Sequence, residues 1–159
     1  MDATDVKLMK ILSQNSHCTA SEISSKVNLS IPAVNKRISR LKASGAIKSF
    51  SIQADAKVIG KPIVAFIMVV LERYSKIEEL MAYVDTDDDI VECHAITGEY
   101  DYLLKVYAKD INDLESKLIK LKSGKGISKS HTMFSLLEHK HLPGPLPEET
   151  NHDEGCNAK

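Results

Sequence analysis

Residues 62–72 are almost wholly apolar, with Ile63, Val64, Ala65, Phe66, Ile67, Met68, Val69, Val70 and Leu71 in unbroken succession. Five of these are β-branched, which suits a strand buried on both faces. The run is far shorter than the roughly 18 residues of a membrane span. A strand of this kind needs cover on both of its faces. The next elements along the chain supply one layer. Ser75-Lys76-Ile77-Glu78 reads as a capping box, and Ile77, Leu80, Met81 and Val84 make a helical stripe. Residues 90–97 and 101–108 read as strands about the turn Gly98-Glu99-Tyr100, a hairpin. Asp110 caps a helix with Ile111, Leu114, Leu118 and Leu121 inward, Gly124 and Gly126 end it, and residues 128–138 read as a last strand. Strand, helix, strand, strand, helix, strand is the split, ferredoxin-like order. Both helices then lie on one face of the sheet. Ile63, Ala65, Ile67, Val69 and Leu71 are expected on the bare face, a patch too apolar for a monomer. Sheet-on-sheet pairing of two copies is the economical cover.

The first sixty residues have a different period. Leu8, Ile11 and Leu12 give one buried helical face. Thr19-Ala20-Ser21-Glu22 fits a capping box ahead of a short helix with Ile23 and Val27 inward. Asn28 tolerates the left-handed backbone of a tight turn. Ser30 is a good N-cap and Pro32 suits a first turn; Val34, Ile38 and Leu41 continue at i, i+4 and i+7, and Gly45 marks the stop. Residues 47–54 alternate apolar and polar, a short strand or wing.

The net charge of −1 hides an asymmetry. Residues 1–60 carry nine Lys/Arg against four Asp/Glu, net +5; residues 61–142 carry eleven against fourteen, and residues 143–159 one against four, each net −3. Between Ser30 and Lys48 lie Lys36, Arg37, Arg40, Lys42 and Lys48 and no acid. Two helices joined by a short turn, the second one basic, is helix-turn-helix geometry, whose second helix fits a major groove about 12 Å wide. The candidate contacts with double-stranded DNA are Ser30, Ile31, Ala33, Asn35, Lys36, Arg37, Arg40 and Lys48. Phosphates take the basic groups, while Asn35, Lys36 and Arg40 reach base edges. The competing reading is a solvated basic face on a plain helical bundle.

The expected fold is thus α+β, with a winged helix-turn-helix at 1–54, a linker at 55–61, a ferredoxin-like domain at 62–142, and a disordered acidic tail at 143–159 with three prolines and four acids. Cys18, Cys93 and Cys156 are odd in number and far apart, which argues for free thiols and a cytoplasmic chain. The N-terminus shows no basic start followed by an apolar block. No phosphate-cradling loop or helical histidine pair is present in the sequence, so no catalytic residue, metal site or cofactor is expected. His131, His139, His141, His152 and Cys156 read as exposed groups rather than ligands, and Asp87-Asp88-Asp89 as a solvated loop.

These residues resemble the Lrp/AsnC family, the leucine- and asparagine-responsive feast/famine regulators of bacteria and archaea. The markers are Asp5 with Ile11-Leu12, Val27-Asn28-Leu29-Ser30, Arg37-Ile38-Ser39-Arg40-Leu41, Gly45-Ala46-Ile47, Gly60, and Thr97-Gly98-Glu99-Tyr100-Asp101-Tyr102-Leu103-Leu104. The resemblance spans about residues 2–139. Asn28 stands where the family usually has Gly, Glu99 where it has Asp, and Lys122–Ile127 diverges from its Pro-Gly-Val approach to the last strand. The resemblance implies a homodimer formed through the second domain, often assembled into octamers or larger discs. It also implies an amino acid or similar effector bound in a cleft between subunits, for which Thr97, Gly98, Glu99, Tyr100, Asp101, Met133 and Ser135 are the matching positions. An enzyme reading stays open, because sirohaem decarboxylases are similar to this family in both domains; His94 or His131 would then serve as acid or base. So does a DNA-compacting architectural protein. The basic third helix favours the regulator.

Overall fold

The computed structural model describes residues 1–148. They form two compact units, one of Met1–Ile52 together with residues 140–148, the other of Gln53–His139. The first contains α1 (Ala3–Gln14), α2 (Ala20–Val27) and α3 (Ile31–Ala43). Asp2 caps α1 and Thr19 caps α2, each in a reciprocal box with the acid three residues on, Asp5 and Glu22. Asn28 ends α2 in the left-handed conformation, with φ 53° and ψ 45°. Pro32 opens α3, but Ser30 makes no capping bond with its side chain. Leu8, Leu12, Ile23 and Val34 form the core, with Ile38 and Ile47 packed against it.

Residues 47–54, expected as a strand or wing, form no ladder among the described residues. Their alternation offers one apolar face, but residues 1–52 contain no second strand to pair with. Instead the Ile47 N–H donates to the Leu41 carbonyl, and Lys42 lies 4.8 Å over the Phe50 ring. The expected linker is itself structured. Asp55 accepts from the N–H groups of Lys57 and Val58, Lys61 N–H donates to Ala56 O, and the whole turn belongs to the second unit.

That unit holds β1 (Ile63–Leu71), α4 (Ile77–Val84), β2 (Ile90–Ala95), β3 (Tyr102–Ala108), α5 (Ile111–Lys122) and β4 (Ile127–Phe134). The sheet is antiparallel in the order β2-β3-β1-β4, so β1 is central. A 3₁₀ turn at Tyr74–Lys76 precedes α4, and the expected Ser75 cap is not made. Asp110 does cap α5, accepting from Asp113 N–H at 2.8 Å. β4 ends at Phe134, sooner than expected, because β1 begins at Ile63 and offers only the Val64 carbonyl, to Ser135 N–H.

The bare face carries the other set of β1 residues. Ala65, Ile67 and Val69 are at most 1% exposed and pack with Leu80, Leu104, Val106, Leu114 and Leu121. Val64, Phe66, Met68 and Val70, all half-buried, occupy the open side. In a run without polar residues the period of two leaves no mark, so the phase is set by the neighbours. Phe66 lies beside Lys105 and Met133, Met68 beside Leu103 and His131. The open face thus remains apolar, but through the even-numbered residues. Lys105 sits in its middle, 8% exposed, with Glu92 at 3.4 Å and Glu138 at 3.5 Å. Burial works to lower the Lys105 pKa, but Tyr107, Glu92 and Glu138 outweigh it and leave it above the ordinary value.

The expected tail falls mostly outside the described residues, as do His152 and Cys156; residues 143–148 carry no helix or strand. No helix among the described residues is long and apolar enough to cross a membrane.

The turn at Asn28 is the local feature on which the placing of α3 depends. A β-branched side chain strains a left-handed backbone, so Asn28→Val is expected to destabilise the chain by about 1–2 kcal/mol, and Asn28→Gly to leave it within about 0.5 kcal/mol. Denaturant titrations measure both.

Candidate nucleic-acid interface

Helix α3 turns Val34 and Leu41 fully inward, at 0% and 3% exposure, and Ile38 partly so. At 3.6 residues per turn, Pro32, Lys36, Ser39, Arg40 and Ala43 fall on the opposite side, and all five are exposed. Ile31 and Asn35 are exposed on one flank, Ser30 and Lys48 at either end, while Ala33 is half-buried. The expected open face therefore exists, with two amendments.

Arg37 lies on the flank facing α1 and Arg40 on the border between that flank and the open side, and acids of α1 meet both. Arg37 Nη1 bonds Asp2 Oδ2 at 2.6 Å and Asp5 Oδ1 at 2.8 Å; Arg40 Nη2 bonds Asp5 Oδ2 at 2.7 Å. Asp5 is only 1% exposed and also accepts from Asp2 N–H, so both its oxygens are used. The Arg37 side chain is 26% exposed and is held inside the unit; the Arg40 side chain is 60% exposed and still faces outward. Lys36 makes no ion pair among the described residues. Burial pushes the Asp5 carboxyl up, but the Asp2 N–H, Arg37 and Arg40 outweigh it and hold it below its ordinary value. Arg37 holds Asp2 down as well, helped by the Asp5 N–H, and both acids push Arg37 up. The sequence signal for this cluster was only two acids three apart at a helix start, some 35 residues from their partners.

The hairpin loop is the second candidate region. Gly98 has φ 118°, a backbone natural to glycine. Thr97, Gly98, Glu99 and Asp101 are exposed and Tyr100 is half-buried. Asp101 is tied to the end of β1: its N–H donates to Val69 O, and its Oδ2 accepts from Leu71 N–H at 2.7 Å, where the ladder shifts register. Tyr100 lies 6.3 Å from the His131 ring, and Lys129 Nζ lies 4.9 Å over the Tyr100 ring. Sequence reasoning missed Lys129 as a neighbour of this loop. Met133 and Ser135 are elsewhere within the chain. Met133 pairs with Phe66, and Ser135 bonds Val64, at the other end of β1 from Leu71. At about 3.3 Å per residue, several residues of strand separate them from the loop, so a single chain does not bring all seven positions together.

His94 and His131 occupy one row across the open face with Leu103 and Met68 between them. Three strand spacings of about 4.8 Å keep them apart. No cluster of three metal-ligating groups is present among the described residues.

Comparison with known proteins adds to this geometry. The description "Winged helix-turn-helix DNA-binding" matches residues 1–48, and "Lrp/AsnC ligand binding domain" matches residues 64–145. The HTH-type transcriptional regulator FL11 of Pyrococcus horikoshii is 32% identical, covering 88% of this chain and 92% of its own. The glutamate uptake regulatory protein of Zymomonas mobilis is 29% identical over 97% of this chain and 96% of its own. Among solved structures, a transcriptional regulator of Neisseria meningitidis in complex with L-Met has a TM-score of 0.86 at 28% identity, covering 90% of this chain and 94% of its own.

The carboxylates of α1 give the first unit a defined response to acid. Their folded pKa values are depressed, so their stabilisation is complete above the ordinary carboxylate value of about 3.9 and is lost as pH falls through the folded values. Asp5→Asn is expected to melt below wild type at pH 7, and the gap should close below about pH 4. Thermal melts of both full-length chains from pH 7 to pH 2 measure it; a constant gap would contradict the ion cluster.

Proposed function

We propose a function from one premise: the chain belongs to the Lrp/AsnC family of transcriptional regulators, with a helix-turn-helix and a ligand-binding domain. On our reading α3 enters the major groove. Lys36, at the centre of its open side, and Lys48 meet phosphates. Asn35 and Arg40 reach base edges, and Ser30, Ile31 and Ala33 sit at the helix entry. Arg37 acts from within, holding α3 to α1. The observation that carries this reading is the split of α3 into a buried Val34/Leu41 side and an exposed Lys36/Ser39/Arg40 side, on which Arg40 meets Asp5 at one edge and Lys36 makes no ion pair among the described residues, seated behind a left-handed turn. The net +5 of the first sixty residues supports it.

The ligand-binding domain pairs two copies through the open side of the sheet, bringing Val64, Phe66 and Met68 against their equivalents. The two recognition helices are then one helical turn of about 34 Å apart or a multiple of it, and sites are near-palindromic. The effector is an amino acid or similar small metabolite held by Thr97, Gly98, Glu99, Tyr100 and Asp101. Met133 and Ser135 join them only where another subunit supplies that end of the sheet. The L-Met complex of the Neisseria meningitidis protein supports an amino-acid effector. Asp101 Oδ1 is the oxygen left for an ammonium, because Oδ2 is engaged by Leu71. Assembly into larger oligomers and a cytoplasmic location complete the reading, and the likeness to curated regulators supports regulation rather than catalysis.

Sequencing of genomic fragments retained by the protein, with and without a pool of amino acids, tests this. Enrichment of a few near-palindromic sites, altered by the pool, is the expected outcome. On such a site Lys36→Ala should lower the slope of log affinity against log salt by about one. Asp101→Ala should abolish the response to the pool. Uniform genomic recovery would contradict sequence-specific regulation, and an unchanged salt slope would remove Lys36 from the interface.

A further inference from the structure

We propose that Asp5, a residue of α1 that itself lies inside the unit, is a positioning residue for DNA binding: it grips one edge of the Arg40 guanidinium and aims the other outward. The inference rests on the reading of α3 as the recognition helix.

Three observations carry it. Arg40 is the exposed member of the arginine pair, yet its Nη2 is fixed 2.7 Å from a carboxylate oxygen that is out of solvent. The carboxylate is itself fixed. The capping box of α1 holds it through Asp2 N–H, and Arg37 binds its other oxygen. The guanidinium is a planar fork, so anchoring Nη2 restricts where the remaining N–H donors can point. The Arg40 side chain is 60% exposed and borders an open cleft lined also by Asp2, Asp5 and Ser44. Lys36 has no such anchor and reaches a phosphate as a flexible point charge. Holding Arg40 before contact removes much of the rotamer entropy that a long exposed side chain otherwise loses on binding. Arg37 differs: it bonds both acids, is mostly covered, and serves the anchor rather than the DNA.

The sign of the effect separates positioning from simple charge. Asp5→Asn removes a negative charge near the phosphates, so an account based on net charge alone expects tighter binding. Positioning expects the reverse. The probe is a duplex selected by the wild-type protein from a random-sequence library, read by fluorescence anisotropy at several salt concentrations and well below the melting temperatures. Arg40→Ala is expected to weaken binding about tenfold and to relax selection at one position of the site, with little change in salt slope. Asp5→Asn is expected to weaken it several-fold, and the Asp5→Asn/Arg40→Ala double variant to bind no more weakly than Arg40→Ala alone. A merely structural role for Asp5 would make the two losses multiply. Wild-type or tighter affinity in folded Asp5→Asn, or multiplied losses, overturns the proposal while leaving the DNA reading intact. If the wild-type protein selects no duplex, the DNA reading fails with it. Should Asp5→Asn not fold, Arg40→Lys decides: it keeps the charge without the fork, so weaker binding at an unchanged salt slope is expected, and wild-type affinity would overturn the proposal.

Discussion

Everything in the second unit depends on the register of β1 between β3 and β4. Ala65, Ile67 and Val69 pack under α4 and α5 because Val106, Leu104 and Tyr102 stand directly beside them. A slip of one residue would exchange the two faces of the strand. Both faces are apolar, so hydrophobicity alone hardly distinguishes the registers. Discrimination falls to size and to polar neighbours. Ala65 fits beneath the helices where Phe66 would not, and Lys105 opposite Phe66 demands a side where Glu92 and Glu138 reach it. Asp101 fixes the far end by taking the Leu71 N–H where the ladder shifts. The hairpin loop read as an effector site is thus also a stop for the central strand. A ligand that disturbs Asp101 acts directly on the end of β1.

The first unit is held differently. Its core of Leu8, Leu12, Ile23 and Val34 is small. At about 1.5–3 kcal/mol per buried aliphatic side chain, it leaves little margin over chain entropy. Caps and ion pairs therefore matter more than in a large domain. Asp5 gives up solvation entirely and recovers it only through bonds to Asp2, Arg37 and Arg40. Removing one partner of such a buried group costs more than the intact pair gains. The same bonds lock α3 against α1 and fix the guanidinium of Arg40, so stability and the shape of the interface share their atoms.

Local features were legible in the sequence. The Thr19–Glu22 box, Asn28 in its left-handed turn, Gly45 after α3 and the Asp110 cap each depend on a few neighbouring residues. Non-local features were not. The phase of β1 is invisible in a run without polar residues. Residues 47–54 alternate like a strand but lack a partner. Ser75–Glu78 has the composition of a capping box, yet the backbone takes a 3₁₀ turn there. Arg37 reads as an exposed basic residue until Asp2 and Asp5 are brought beside it from 32 and more positions away. Met133 and Ser135 match the cleft between subunits that the resemblance implies; within one chain, pairing with β1 sets Met133 beside Phe66 and Ser135 beside Val64, several residues from the loop.

The apolar open side of the sheet joins fold to function. On the proposed reading a second copy covers it, and that copy turns one recognition helix into a pair. Sedimentation velocity at micromolar concentration tests this most directly, comparing wild type with Phe66→Asp, whose side chain faces away from the helices. The account predicts a wild-type dimer or larger assembly, and a Phe66→Asp monomer with the same circular dichroism. A wild-type chain that sediments as a 17.6 kDa monomer would contradict it.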